Sequence, residues 1–509
     1  MPRRGGLFAV LVLLLASAFT FDAHAAPVVP TAPAPTPASA SATTRAPAPS
    51  PAPAPAPAPA PIPASASAPT PAPAPTPDIS VVAPPPDTEP PNPDAIQAPL
   101  LAPGQKKKAP RGAADPGDYT TRRYEPAGFP LIGGDSDIGF EFGAVGTLSY
   151  FCCGTRPYAW NLDMLLSASV KEGPSGAAEI AQQNYLLQLD MPGLFGGTTR
   201  ILPEVSYNHT VNYGYWGLGN ASAPGVPAGN TNAGRYHEWI ESVAQVRPIA
   251  RVHLTGPLYA VGMAQFLYVS PQAYDQSQLA QDAAGATPGA PRIYGTQAVS
   301  LPSLAGGFAW DSRDNEIFPH SGMLDEVGVR VEQGFPADRQ VHYVEAGAIV
   351  RGYVPLVGPL VLAARLVANV QVGDVPFFEL FQAGPFDLKE MPGGSAGVRG
   401  VPVGRYLGPV KVLGNVELRA MLVQFTVLKQ HFTLGNDVFF DTGRVWADTS
   451  FHSSLDGSGA GLKYGVGGGI YVLWGQAAML RIEASYSPDA VSENPSLPLG
   501  IYVNDGVMF

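Results

Sequence analysis

The chain has 509 residues, a formal net charge of −11 and an isoelectric point near 5.2. This acidic balance gives no basic surface for nucleic acid, so no nucleic-acid partner is expected. The two cysteines, Cys152 and Cys153, are adjacent and lack the second ligand cluster that a metal site needs. We therefore expect no metal and no cofactor; in an oxidising compartment the pair can form a vicinal disulfide.

The first 25 residues have the features of a secretory signal peptide. Arg3 and Arg4 precede an apolar stretch at residues 7–21, and Ala23 and Ala25 form a small-x-small cleavage site. The apolar stretch is shorter than the roughly 20 residues that a spanning helix needs. The sequence thus predicts export with cleavage after Ala25; the alternative is a retained anchor helix.

Residues 26–115 form a Pro/Ala-rich segment with repeats such as PAPAPAPAPAP. Such a composition cannot bury a core and favours extended polyproline II, so we expect a disordered, semi-rigid spacer. Lys106, Lys107, Lys108 and Arg111 close the segment. These charges are either a solvated linker end or a contact for anionic lipid or polymer.

Residues 116–509 show apolar and polar residues alternating with a period of two. In LGNVELRAML, apolar Val416 and Leu418 flank Glu417, and DEVGVRVEQ and AMLRIEASY alternate in the same way. No helical segment is available to cover the apolar faces. A closed antiparallel barrel with its apolar face toward lipid satisfies every backbone group. We predict an all-β, monomeric transmembrane β-barrel in a Gram-negative outer membrane, with outer-membrane lipid as its first partner.

Sixteen strands are expected. Alternating segments begin near residues 138, 158, 181, 199, 236, 257, 299, 322, 340, 359, 410, 431, 461, 476 and 499. Bacterial single-chain barrels have even strand numbers, so a further strand is predicted between Tyr119 and Ile132. Tight connections at 355–359 and 474–476 suit the inner side of the membrane, whereas connections at 214–235 and 270–293 suit the outer side. The C-terminal residues Phe509, Val507 and Val503 resemble the C-terminal signal of outer-membrane barrels, although Asp505 interrupts the row.

Several motifs occur in an order that resembles the BamA/TamA superfamily, the bacterial surface antigen barrels. These are WGLGN (216–220), WDSRDNEIFPHSG (310–322), VRG (398–400, followed by Val401 where the family has an aromatic), VFFDTG (438–443) and GLK (461–463). The resemblance covers about residues 120–509. It implies a long outer loop that enters the lumen, where Arg399 meets Asp441 on the wall, with Glu417 as a second acceptor. Gly400 and its neighbouring glycines let the backbone fold back into the barrel; the alternative is that Arg399 lies on a mobile outer loop in solvent.

The function is left open by the sequence. The resemblance implies insertion or translocation of other proteins, with periplasmic assembly or cell-wall components as further partners, but residues 26–115 cannot form the POTRA domains that usually receive clients. The alternative is a loop-plugged structural or pore barrel without assembly activity. An enzyme is not expected, because Asp311, His320 and Ser321 lie on a predicted tight turn without an oxyanion arrangement.

Overall fold

A computed structural model describes residues 119–509, apart from residues 136, 156, 287–290, 317, 387–388, 391, 428–429, 475–477, 493–498 and 506–508. The predicted signal peptide and nearly all of the Pro/Ala-rich segment lie outside the described residues. No helix among the described residues is long and apolar enough to cross a membrane.

The described part of the chain is built from strands, one short α-helix, α1 (Gln278–Ala283), and several 3-10 turns. The strands are β1 Arg123–Asp135, β2 Gly139–Phe151, β3 Trp160–Glu172, β4 Ala178–Leu194, β5 Thr199–Gly214, β6 Glu238–Thr255, β7 Leu258–Ala273, β8 Val299–Asp311, β9 Gly322–Gln333, β10 His342–Pro355, β11 Leu360–Asp374, β12 Gln382–Ala383, β13 Lys389–Glu390, β14 Val410–Val427, β15 Gln430–Trp446, β16 Lys463–Trp474, β17 Ala478–Tyr486 and β18 Leu499–Asp505.

Sixteen of these strands close into one antiparallel barrel, in which each strand pairs with its neighbours in chain order and β1 meets β18. The short strands β12 and β13 pair only with each other and lie in the connection between β11 and β14. The predicted all-β fold and the number of barrel strands are confirmed. The strand that the sequence placed between Tyr119 and Ile132 is β1.

The barrel is apolar outside and charged inside, as the period of two predicted. On β9, Val327, Val329 and Val331 are 48–54% exposed, whereas Arg330 and Glu332 are 1% and 6% exposed. An outer surface this apolar is unfavourable in water and favourable in lipid, where each strand gains by burying its apolar face.

The connections differ at the two ends of the barrel. At the end called here the short-connection end, β6–β7, β10–β11, β14–β15 and β16–β17 are joined by two to four residues. At the other end, called the long-connection end, residues 215–237, 274–298 and 375–409 link β5–β6, β7–β8 and β11–β14. The tight connections predicted at 355–359 and 474–476 both lie at the short-connection end.

The connection 375–409, called here the inserted loop, fills the lumen. Its Phe377, Phe378 and Phe381 are almost completely buried and pack into a core with Trp239 and Tyr213 from the wall. This packing explains how a barrel of this size avoids an open channel: the loop brings its own hydrophobic residues.

A second segment covers the lumen at the short-connection end. In the β8–β9 connection, Phe318 is 5% exposed and its ring centroid lies 6.2 Å from that of Tyr471 on β16. Met479 of β17 belongs to the same buried cluster. Because β8 and β16 are far apart in the barrel order, this connection reaches across the opening.

The barrel closes at a short seam between β1 and β18. Among the described residues, the facing pairs there are Gly134 with Val503 and Asp135 with Tyr502. Strand β1 pairs with β2 over its whole length, Arg123–Asp135. Within the described residues, the closure is therefore made over a small part of β1.

Candidate functional site

The tip of the inserted loop lies against the inner wall. Val398 and Val401 are fully buried on either side of it. Between them, Gly400 has φ +92°, and a Cβ atom there would lie 2.8 Å from Oγ of Ser485, so only glycine fits without strain. The Gly400 N–H donates to the Tyr502 hydroxyl at 2.7 Å.

Arg399 binds Asp441 through three hydrogen bonds. Nε donates to Oδ2 at 2.7 Å, Nη2 to Oδ1 at 2.9 Å, and the backbone N–H of Arg399 to Oδ2 at 3.1 Å. The Asn415 side chain donates to Asp441 Oδ1 at 2.8 Å and to the Gly397 carbonyl at 3.0 Å. A bidentate guanidinium–carboxylate pair fixes direction as well as distance, so the loop tip is held in one orientation.

Arg399 also meets other wall carboxylates. Nη2 lies 2.6 Å from Glu417 Oε1, Nη1 lies 2.8 Å from Glu483 Oε1, and Nη1 lies 4.0 Å from Asp437 Oδ2. The guanidinium carbon lies 3.4 Å from the centre of the Phe439 ring. The sequence named Glu417 and missed Asp437 and Glu483, although the alternation in AMLRIEASY indicates that Glu483 faces inward.

Two wall arginines offset part of this acidic charge. Arg419 Nε donates to Glu417 Oε2 at 2.6 Å, and Arg481 Nε lies 3.2 Å from Glu483 Oε2. Burial would lower the pKa of Arg399, but Glu417 and the other carboxylates raise it well above its ordinary value. The site is a buried ionic network in which Arg399 is the one charge that the described residues of the loop contribute.

Glu417, Asp437 and Glu483 are also the residues whose type and spacing suit a metal ion, since one oxygen of each lies within 4.8 Å of the others. The Arg399 guanidinium contacts two of them, at 2.6 and 2.8 Å. A metal ion at this place would compete with Arg399 for the same carboxylates. The geometry therefore favours Arg399 of the loop, and not a metal ion, as the partner of the acidic cluster.

The loop tip also touches both sides of the seam. Gly400 is bonded to Tyr502 of β18, and the Val403 N–H donates to Oδ2 of Asp137, in the β1–β2 connection, at 3.2 Å. The segment 400–403 therefore spans the β1/β18 closure from inside the barrel.

The first half of the loop has a second ionic attachment, on another part of the wall. Glu379 Oε2 lies 3.1 Å from Nη2 of Arg330 on β9. Lys411 Nζ donates to the Leu380 carbonyl at 2.9 Å and to the Gly408 carbonyl at 3.1 Å, which joins the two ends of the loop. Nothing in the motifs pointed to this attachment, because acid and base are far apart in sequence.

The motif residues WGLGN reach the same loop. The Gly219 N–H donates to the Leu407 carbonyl at 2.8 Å, and Asn220 Nδ2 donates to the Gly461 carbonyl at 2.6 Å. The connection 215–237 thus holds the end of the inserted loop and the start of the β16 region together.

The C-terminal residues lie in two places. Val503, on β18, faces Gly134 across the seam, and Val507 lies outside the described residues. Phe509 lies inside the barrel, where its backbone oxygen accepts from Nη1 and Nη2 of Arg419, both at 3.2 Å. Its ring centre is 5.0 Å from the guanidinium carbon of Arg365.

The remaining residues singled out by the sequence form local contacts. Cys152 and Cys153 are joined as a vicinal disulfide. Asp311 is bound by Arg313 at 2.8 Å, and His320 Nδ1 lies 3.4 Å from Asp314. These contacts give Asp311, His320 and Ser321 no common arrangement.

A closed barrel with an apolar outer face, a charged lumen and a buried inserted loop defines a transmembrane β-barrel protein. The Omp85 superfamily domain matches residues 181–492, and the chain belongs to the Omp85 superfamily. This match confirms the resemblance found in the sequence and gives the protein a membrane location. A comparison with curated proteins found no match.

Solved structures with a similar fold include BamA from Haemophilus ducreyi lacking POTRA domains 1–3, at 12% identity and a TM-score of 0.46, covering 76% of this chain and 70% of that one. CdiB from Escherichia coli is also 12% identical, with a TM-score of 0.46 and coverage of 75% and 62%. CdiB from Acinetobacter baumannii is 11% identical, with a TM-score of 0.40 and coverage of 75% and 60%. This chain therefore spans less than two thirds of either CdiB.

Proposed function

We propose that this protein aids the insertion of proteins into, or their translocation across, the outer membrane of a Gram-negative bacterium. The observation that carries the proposal is the short seam. From Tyr124 to Ile132, β1 has no facing partner in β18 among the described residues. A strand edge with unmatched N–H and C=O groups is a template for another strand.

The composition of β1 supports this role. Its sequence, RYEPAGFPLIGGD, includes Pro126 and Pro130, and proline is found in sheets chiefly on edge strands, because it has no N–H to donate. Opening the seam would cost few inter-strand bonds and would leave the other strand pairs intact. An incoming strand could then pair with β1 while the rest of the barrel stays closed.

Client delivery is proposed to depend on a separate periplasmic partner. The Pro/Ala composition of residues 26–115 does not suit a folded POTRA domain. That segment is proposed to act as a spacer through the periplasm or cell wall, and no catalytic activity is proposed.

The test is to lock the seam. A Cβ atom on Gly133 would lie 3.6 Å from Cγ1 of Val503 but 2.9 Å from the Val503 carbonyl oxygen. Gly133→Cys with Val503→Cys should therefore form a disulfide across the seam after a small local shift of the backbone. Cys152 and Cys153 are first changed to serine. The matched control is Gly262→Cys with Gly306→Cys, two facing residues on β7 and β8 with open space around them.

The measurement is the abundance of outer-membrane proteins in cells that carry each variant, with and without reductant. We expect the oxidised seam variant to lose client proteins and to recover them on reduction, while the β7–β8 control stays unchanged. Unchanged client levels with a fully oxidised seam would support a plugged structural barrel instead.

A further inference from the structure

A cavity of about 170 Å³ lies in the lumen between the wall and the inserted loop. Strands β5, β6 and β7 form its wall side, and Phe378, Glu379 and Gln382 of the loop form the other side. It lies away from Arg399, which contacts β14, β15 and β17.

The charge of the lining has one sign. The lining includes two carboxylates, Glu241 and Glu379, and contains no lysine, arginine or histidine. Its other polar side chains are neutral amides and hydroxyls, among them Gln245 and Asn208. The charged residues of the lining would therefore repel an anion and attract a cation.

Glu379 brings a buried carboxylate to the lining of the cavity. Glu379 is fully buried, and its Oε2 is paired with Arg330. Its Oε1 has no hydrogen-bond partner among the described residues. A buried charged oxygen without a partner is costly, so the geometry favours a ligand that donates to it. Burial raises the pKa of Glu379 above its ordinary value although Arg330 acts to lower it; a bound cation would oppose that rise.

Aromatic and apolar groups complete the lining. Tyr213 and Phe378 present rings to the cavity wall, and Leu267 and Val269 supply aliphatic contacts. Aromatic faces attract organic ammonium groups, and aliphatic side chains suit a short hydrocarbon. A bare divalent ion would use neither feature and prefers a compact shell of oxygen ligands.

We propose that this cavity binds a small aliphatic amine, with its ammonium group on Glu379 and Glu241 and its hydrocarbon part against the aromatic and aliphatic lining. The volume corresponds to that of about five water molecules, which accommodates a chain of a few heavy atoms. The proposal is independent of the proposed function, since it needs no client protein.

The position of the cavity gives the ligand a structural consequence. Loop residues Phe378, Glu379 and Gln382 and wall residue Glu241 share the lining, so a bound amine joins the loop to the β5–β7 wall, where the two ionic attachments described above do not reach. A ligand that binds only the folded, plugged state stabilises that state, by an amount that grows with the logarithm of the ligand concentration above Kd.

The test uses the full chain purified in detergent micelles and 1,4-diaminobutane as the probe, titrated by calorimetry. The neutral 1,4-butanediol has the same length and serves as the ligand control, and MgCl2 tests for a metal ion, all at matched ionic strength. The variants are Glu241→Gln and Glu379→Gln, with Asp163→Asn on β3 as the control for a lumenal acid outside the lining.

We expect saturable binding of the diamine to the unaltered protein and no binding of the diol. Each glutamine variant should weaken binding roughly tenfold or more, because a charge-assisted hydrogen bond is lost; Asp163→Asn should not. Heat-modifiable migration on gels shows that each variant is folded, and Glu241→Gln leaves the Glu379–Arg330 attachment in place. Absence of diamine binding, equal binding of the diol, binding of Mg²⁺ alone, or an undiminished affinity in folded Glu241→Gln would overturn the proposal.

Discussion

The carbonyl oxygen of Arg399 lies 1.9 Å from the position that a Cβ atom on Gly465 would occupy. Gly465, on β16, faces Asp441 directly across the β15–β16 ladder. The wall therefore lacks a side chain at the place where the loop backbone passes. The attachment of Arg399 depends on this gap as well as on charge.

Gly465→Ala should loosen the loop tip, because the new methyl group and the loop backbone cannot occupy the same space. We expect a loss of about 1–3 kcal/mol in the free energy of unfolding, as in other overpacked sites. Urea unfolding in lipid vesicles, followed by tryptophan fluorescence, gives the value, and proteolysis near Pro402 reports the loop. Gly306→Ala, at a position with open space, is the control; equal effects of both changes would contradict the prediction.

Arg399→Ala should destabilise the protein more than Asp441→Asn. The arginine contacts Asp441, Glu417 and Glu483, so its removal leaves several buried acids poorly compensated, whereas Asp441→Asn leaves the arginine with two of them. Breaking a buried ion pair costs about 3–5 kcal/mol, and less where water enters. The same unfolding assay ranks the variants, and Arg399→Lys should fall between them because it keeps the charge and loses the bidentate geometry. An asparagine variant as unstable as the alanine variant would show that Asp441 alone matters.

Lys411→Met should separate the two ends of the inserted loop, at Leu380 and Gly408. The ammonium group donates to the Leu380 and Gly408 carbonyls, and each buried carbonyl left without a donor costs about 1–3 kcal/mol. We expect new protease cleavage at residues 375–385 before any cleavage near Pro402. Lys171→Met is the control, since Lys171 donates to one carbonyl, that of Asp137, in a partly exposed position. Simultaneous cleavage at both places would mean that the loop unfolds as one unit.

Phe318→Ala should raise ion conductance strongly only when Arg399→Ala is also present. The inserted loop and the β8–β9 connection close the lumen one after the other, so opening one leaves the other as the limiting barrier. Planar-bilayer recordings of the two single variants and the double variant test this expectation. A large conductance in Phe318→Ala alone would show that the loop leaves a continuous path.

Much of the fold was predictable because lipid outside and charge inside impose a strict period of two on each strand. β9 and β14 show this pattern clearly, and their inward residues Arg330 and Glu417 were identifiable by parity. β1 was hard to see, because Pro126 and Pro130 interrupt its alternation. Its position at the seam explains why that interruption is tolerated.

The candidate site was predictable only in part. The family motifs placed Arg399 and Asp441 together. For Glu483, the alternation of side chains along β17 shows only that it faces the lumen; it does not show which charged residue it contacts. The Glu379–Arg330 attachment joins residues from a loop and a distant strand, and no local pattern encodes such a pairing. The inward position of Phe509 was also missed, since its resemblance to a C-terminal barrel signal does not say which side of the wall the ring contacts.

Residues 400–403 of the inserted loop are hydrogen-bonded to both edges of the seam. Gly400 contacts Tyr502 on one side, and Val403 contacts Asp137 on the other. If the seam opens, at least one of these hydrogen bonds must break or the loop must move with one edge. Thermodynamic linkage is reciprocal, so a strand that enters at the seam should loosen the plug by the same free energy by which a loosened plug favours entry. Opening of the seam and release of the inserted loop are thus two coupled parts of one equilibrium.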